Sequence, residues 1–283
     1  MLSIGISDYP VVYLPWFYIA LAIGLVIYGH LRLAGCGALT STIAAYALIN
    51  LPFINVHSAL AGYADLWVTV AFGAGALSVF EWNRSRQWPY AVLGLILAVF
   101  CTQLKVPGLI MGSIILMAFC LSLIRLPAKV WLALIALGTA AIFTVLYIGL
   151  ELNIPYLGKV SISHDIISIP YIGEFDLALH NVNEAMLNTV FLMINWNILW
   201  YCLVIMIVMS AINPKVLLAN ALEITTLGVT LCFLISVYYF TERYQFALDY
   251  TQVNRALVYA TPLIVFFIAQ QASFYLFYRG AKR

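Results

Sequence analysis

The chain has 283 residues, of which 65% are hydrophobic and 8% charged, with a net charge of +2 and a mean hydropathy of +1.02. A soluble domain carries roughly 25% charged residues to cover its surface, so this composition excludes a water-soluble globule and points to a membrane bundle. The basic residues form no run that would serve a nucleic-acid partner.

A spanning helix needs about 20 mainly apolar residues. In chain order the sequence offers nine such runs, at 11–29, 34–51, 65–80, 88–104, 106–124, 130–150, 187–211, 216–240 and 256–278. Lipid-exposed backbone must satisfy its hydrogen bonds internally, so the expected class is all-α, a polytopic transmembrane bundle forming a single membrane domain over 1–283. The fourth and fifth runs almost touch. Residues 184–196 read as a flat interfacial helix ahead of the seventh run. The one long loop, 151–186, is acidic, carries Pro155 and Pro170, and is too short for a separate domain.

Strict alternation with the N-terminus outside places Arg32, Arg84, Arg86, Arg125, Lys129, Lys215, Arg279, Lys282 and Arg283 on the inner side. Lys105, Lys159, Arg243 and Arg255 fall outside. By the positive-inside rule the C-terminus is then cytoplasmic. The outer side also collects acids, among them Asp8, Asp65, Glu151, Glu174, Glu242 and Asp249. Cys36, Cys101, Cys120, Cys202 and Cys232 all lie in apolar runs without the paired spacing of a zinc or redox site. They read as small apolar side chains.

An ionised side chain within a bilayer costs about 2.5–3.5 kcal/mol on insertion scales, so such residues face a partner or a watery cavity. Pro52 breaks the second span, and the chain is expected to turn tightly back so that Asp65 opens the third. Asp65 then either caps its helix or holds a metal ion or a sugar hydroxyl. Lys105, in the Thr102-Gln103-Leu104-Lys105-Val106-Pro107-Gly108 break, either snorkels to the interface or binds a phosphate. Arg255, which opens the last span, either pairs with Asp249 or Glu242 or grips a phosphate oxygen pair with its planar fork. Glu242, Arg243 and Asp249 read as a solvated loop surface. His57, His164 and His180 are outward but lack ligand spacing. Glu223, inside the eighth span, reads as bonded to Thr225, Thr226 or a neighbouring helix; a proton-coupled transporter would also use it.

In this order and on one side, Gly62-Tyr63-Ala64-Asp65, Lys105-Val106-Pro107-Gly108 and Asn254-Arg255 with Pro262, joined by Trp196 entering the seventh span, resemble the GT-C-type membrane glycosyltransferases from about residue 8 onward. The resemblance implies a bacterial inner (plasma) membrane protein that transfers a sugar from a polyprenyl phosphate or diphosphate to an acceptor on the periplasmic face. It implies Asp65 and Asp8 as the catalytic acids, Lys105 and Arg255 on the donor phosphate, and Tyr63, His57, Glu242 and Asn254 around them. A divalent metal ion, where one is used, would sit at Asp65. The expected partners are membrane lipids and the polyprenyl-linked sugar. Family members carry a further span and an acid-bearing outer loop ahead of this point. The resemblance therefore also implies a partner subunit or additional chain supplying that part. Two alternatives come from other classes. A transporter or flippase of lipid-linked sugars would show charges or broken helices at the midplane and two matching halves. A non-catalytic membrane subunit is the other.

Overall fold

A computed structural model describes residues 14–60, 62–124, 130, 137–138, 140, 144–145, 147–155, 158–163, 165–170, 173–176, 178–212 and 219–275. The first helices in order are α1 (Leu14–Leu33), α2 (Ala38–Ile49), α3 (Pro52–Ala59), α4 (Asp65–Ser85), α5 (Trp88–Leu104) and α6 (Val106–Leu123). After a sheet come α7 (Asn183–Leu187), a π turn (Asn188–Leu192), a 3-10 turn (Ile194–Trp196), α8 (Leu199–Ile212) and α9 (Ala221–Phe240). Last are a 3-10 turn (Glu242–Tyr244), α10 (Gln245–Leu248), and α11 (Val253–Leu257) running through Val258–Ala260 into α12 (Thr261–Ser273).

Four of these helical runs, α1, α6, α9 and Val253–Ser273, are long and apolar enough to cross a bilayer; α2 with α3, bent by 58°, makes a fifth. Leu25, Leu39, Ile43, Ile96, Val99 and Ile205 point outward. Apolar exterior of this extent is what a lipid-facing surface looks like and what a soluble monomer avoids.

The centre of the bundle is α4. It is 21 residues long, about 31 Å at 1.5 Å per residue, which matches a hydrocarbon core. It is also the most polar long helix, and nearly every residue from Asp65 to Trp82 is buried by its neighbours. Small residues let those neighbours approach. A β-carbon on Gly73 would lie 2.6 Å from Pro262 Cβ of α12, and one on Gly75 2.8 Å from Ile115 Cδ1 of α6. Close van der Waals packing of this kind replaces the hydrophobic drive that lipid cannot supply.

The helices run between two ends. At one, the Trp16 indole donates to Tyr63 O (2.9 Å), the Trp196 indole to Asn254 Oδ1 (3.0 Å), and the His180 N–H to Tyr239 O (2.8 Å). At the other, Arg86 Nη1 donates to Ser122 O (2.7 Å), Ser210 Oγ to Gln271 Oε1 (3.2 Å), and the His30 ring meets the Tyr90 ring at 6.3 Å. The helical class agrees with the sequence, and α5 has the bounds expected of it.

Three local expectations change. Pro52 breaks the second span as expected, but the chain does not go straight into the turn. It first forms α3, at whose start the missing N–H of Pro52 costs nothing, and Asp65 then opens α4. Residues 184–196 are not one interfacial helix but α7 and two short turns that carry Trp196 into full burial. The loop 151–186 contains an antiparallel meander of four strands, β1 (Leu150–Ile154), β2 (Gly158–Ile162), β3 (Ile166–Ile169) and β4 (Gly173–Asp176). Its register pairs Leu150 with Ile162 and Leu152 with Val160, so the period-two alternation of Leu150-Glu151-Leu152-Asn153-Ile154 sorts apolar from polar residues. The expected sixth span, 130–150, lies largely outside the described residues.

Candidate functional site

The site begins with a turn that leaves no freedom. Lys105 is the single residue between α5 and α6, extended at φ −172° and ψ 170°. Pro107 in the first turn of α6 fixes the new helix. Gly108 lies directly on the end of α5: a β-carbon there would stand 2.3 Å from Cys101 O. The hairpin therefore closes only around glycine, and it holds the Lys105 side chain against the start of α4.

There Lys105 Nζ donates to Asp65 Oδ1 in a short ion pair. Asp65 does not cap its own helix, whose N-cap residue is Ala64 and makes no side-chain cap bond. Its carboxylate reaches across the bundle instead. Arg255 of α11 donates to Oδ2 through Nε (3.1 Å) and Nη2 (2.7 Å). Tyr259, one helical turn beyond Arg255 and so on the same face, donates its hydroxyl to Oδ1. His57 Nε2 stands 3.8 Å from Oδ2. Its Nδ1 faces Phe53 O at 2.9 Å; a carbonyl only accepts, so Nδ1 carries a proton.

The Asp65 side chain is 0% exposed, whereas those of Lys105 and Arg255 are 28% and 35% exposed. A carboxylate offers about four acceptor positions, and Lys105, Tyr259 and both Arg255 groups occupy them. A proton-abstracting or metal-binding role for Asp65 would require one of these donors to leave. The arrangement suits a different task. One buried acid orients two cations that keep an open side, and the trio carries one net positive charge.

The remaining candidates divide. Tyr63 belongs to the cluster, with Arg255 Cζ 4.8 Å from its ring centroid. Asn254 does not: its amide accepts from Trp196 and donates to Met193 Sδ (3.6 Å), a role in packing. Glu242 is exposed on its 3-10 turn. Asp249 accepts from the N–H and hydroxyl of Thr251 (3.0 and 2.6 Å), closing its own turn rather than pairing with Arg255. His180 stacks on Tyr244, rings 3.8 Å apart. Asp8 and His164 lie outside the described residues. Among the described residues no three His, Cys, Asp or Glu side chains gather as metal ligands. Tyr259 is the member that sequence reasoning missed; its i, i+4 spacing from Arg255 was the available signal.

A second ionic group lies at the opposite end of α4. Arg84 donates to Glu223 of α9 in a short ion pair and stands 3.7 Å from Glu81. With its amide turned to suit its neighbours, Gln270 of α12 donates to Glu223 Oε2 (2.7 Å) and accepts from Arg84 Nη2 (3.1 Å). Of the partners open to Glu223 in the sequence, Thr225, Thr226 or a neighbouring helix, the structure shows the bonds to neighbouring helices; the Thr226 hydroxyl goes to Leu222 O (2.7 Å).

Comparison of the chain with protein-family models, with curated proteins and with solved structures gives no match.

Proposed function

We propose that this chain is an integral membrane protein of about nine spans that grips the phosphate of a polyprenyl-linked sugar between Lys105 and Arg255 at its outer face. In that setting it acts as a glycosyltransferase of GT-C type, or as part of one, in a bacterial inner membrane. The observation that carries the reading is the pairing of two partly exposed cations, brought from separate parts of the chain onto one fully buried carboxylate. The excess positive charge and the guanidinium fork suit a phosphate. Arg32 and Arg84 lie in the last turns of helices that end at the opposite side, and Arg86 follows α4 directly, in keeping with a cytoplasmic placement of that end.

In the transfer an acceptor hydroxyl oxygen bonds to the anomeric carbon as the bond from that carbon to the phosphate oxygen breaks. The lipid phosphate leaves with the electron pair and gains negative charge. Cations fixed beforehand lower that barrier without reorganising. The hydroxyl proton passes to a base. Asp65 is fully engaged; the resemblance gives this role to an acid of the first outer loop, for which Asp8 is this chain's candidate substitute. A divalent metal at Asp65 would have to displace Lys105 or Arg255.

The saturation of Asp65 also favours a second reading, a non-catalytic subunit that holds the same lipid phosphate for a partner. One experiment separates the two. The protein in lipid nanodiscs is given a polyprenyl phosphate, bare or carrying a hexose or a pentose, and both binding and transfer are followed. Lys105→Ala and Arg255→Ala are each expected to weaken carrier binding about 10- to 100-fold, the worth of a charged hydrogen bond. Unchanged binding in both variants removes the phosphate reading. Binding without turnover by the unaltered protein selects the subunit.

A further inference from the structure

Next to the two cations stands an aromatic side chain that the phosphate grip leaves unused. Tyr63 is 45% exposed, yet it is fixed on several sides. The Arg255 guanidinium lies over its ring at 4.8 Å, the His57 ring meets its edge at 6.5 Å, and the Trp16 indole holds its carbonyl at 2.9 Å. Trp16 is held in turn by an edge contact with Trp67, centroids 6.0 Å apart. An exposed tyrosine at a membrane rim is ordinarily a free interfacial anchor. This one is locked in place against a cation whose bonds to Asp65 run through Nε and Nη2.

We infer that Tyr63 is the platform on which the sugar of a phosphate-linked carrier stacks. The inference rests on the phosphate reading of Lys105 and Arg255. Arg255 binds Asp65 through Nε and Nη2, so an incoming phosphate meets Nη1 and the open edge of the fork. Because the guanidinium lies 4.8 Å from the Tyr63 ring centroid, a group bonded to that phosphate would lie beside Tyr63. Two groups are available, the isoprenoid and the sugar. The isoprenoid is hydrocarbon and finds apolar surface all round the bundle. A sugar needs an aromatic face for its C–H side and polar neighbours for its hydroxyls. Tyr63 with its own hydroxyl and His57 alongside offers that mixture, as ligand sites commonly do.

The test compares carriers. Binding of a bare polyprenyl phosphate, a polyprenyl-phosphate hexose and a polyprenyl-phosphate pentose to the full chain in nanodiscs is measured for the unaltered protein and for Tyr63→Ala, Tyr63→Phe and Tyr63→Trp. At least one sugar-bearing carrier is expected to bind more tightly than the bare one. Tyr63→Ala should remove that preference, weakening the sugar-bearing carrier about three- to tenfold more than the bare one; Phe and Trp should restore it. Equal loss for both carriers would mean that Tyr63 merely props Arg255, and no preference in the unaltered protein would mean there is no sugar platform; each result overturns the inference. Failure of the phosphate reading shows separately, as indifference of all carriers to Lys105→Ala and Arg255→Ala.

Discussion

The two ends of α4 carry opposite solutions to one problem. At the Asp65 end one buried acid is shared by two cations; at the Arg84 end one cation is shared by two buried acids. In both places a cation keeps about a third of its side chain in the open. Only at the Asp65 end is its charge in excess over the acids beside it. That end has cationic charge left over, the basis of the phosphate proposal, whereas the Arg84 end has its cation already outnumbered. A charged cluster within a bundle is thus a poor guide to function until its balance and its open side are known. The same chemistry ties α4 to α9 and α12 at one end and leaves two partly exposed cations on a buried acid at the other.

The sharpest way to break this contrast is to remove the shared member at each end. Arg84→Ala leaves Glu223 and Glu81 buried without their cation, and unpaired buried charge costs about 3–5 kcal/mol. Asp65→Ala leaves Lys105 and Arg255, which can turn further toward water, and orphans chiefly the Tyr259 hydroxyl, at about 1–3 kcal/mol. Denaturation of the two variants in the same detergent should therefore rank Arg84→Ala as the less stable. Carrier binding by folded Arg84→Ala should match the unaltered protein. The contrast fails if the ranking is reversed or if Arg84→Ala loses the ligand.

A finer separation uses Asp65→Asn. If Asp65 orients cations rather than taking a proton, two consequences of the change oppose each other in binding. Losing the negative charge favours an anion, by up to a few kcal/mol at about 6 Å and an effective dielectric of about 20. Losing the hold on two long side chains costs about 0.5–1.5 kcal/mol each. Affinity for the bare carrier should stay within about threefold. Turnover, which depends on placement, should fall at least tenfold. A fall in affinity as large as the fall in turnover would make Asp65 part of the ligand contact itself.

Much of this pattern was legible in the sequence because a few residues carry large penalties. Lys105 between two apolar runs and Asp65 at the head of a third had no solvent to escape to, and such groups find each other. The Lys105-Val106-Pro107-Gly108 break could be placed for the same reason, since proline and glycine leave a chain few choices. What Asp65 does with its oxygens was not legible: whether a carboxylate is free or saturated depends on Tyr259 and Arg255 arriving together from a distant helix. Nor was the partner of Arg255, because Asp249 and Glu242 are near in sequence but spend themselves on their own turn or on solvent. The strands at 150–176 were missed for another reason. Their alternation is visible in Leu150-Glu151-Leu152-Asn153-Ile154, but it is weak beside nine long apolar runs.

The smallest expected effect tests whether the Lys105 hairpin is as rigid as its glycine implies. A methyl group on Gly108 would meet Cys101 O, a backbone atom of α5 that cannot move aside without opening the turn. Gly29 sits in α1 toward the other end, with nothing within 4 Å of the same added atom. In Gly29→Ala the better helix propensity of alanine should raise stability by up to about 1 kcal/mol. In Gly108→Ala the clash should lower it by about 1–3 kcal/mol, and the displaced Lys105 should weaken carrier binding as well. Melting temperatures and carrier affinities of the two variants, side by side, decide it. If Gly108→Ala binds the carrier as the unaltered protein does, the hairpin need not be closed for Lys105 to serve. The cation would then be positioned by its ion pair with Asp65 alone.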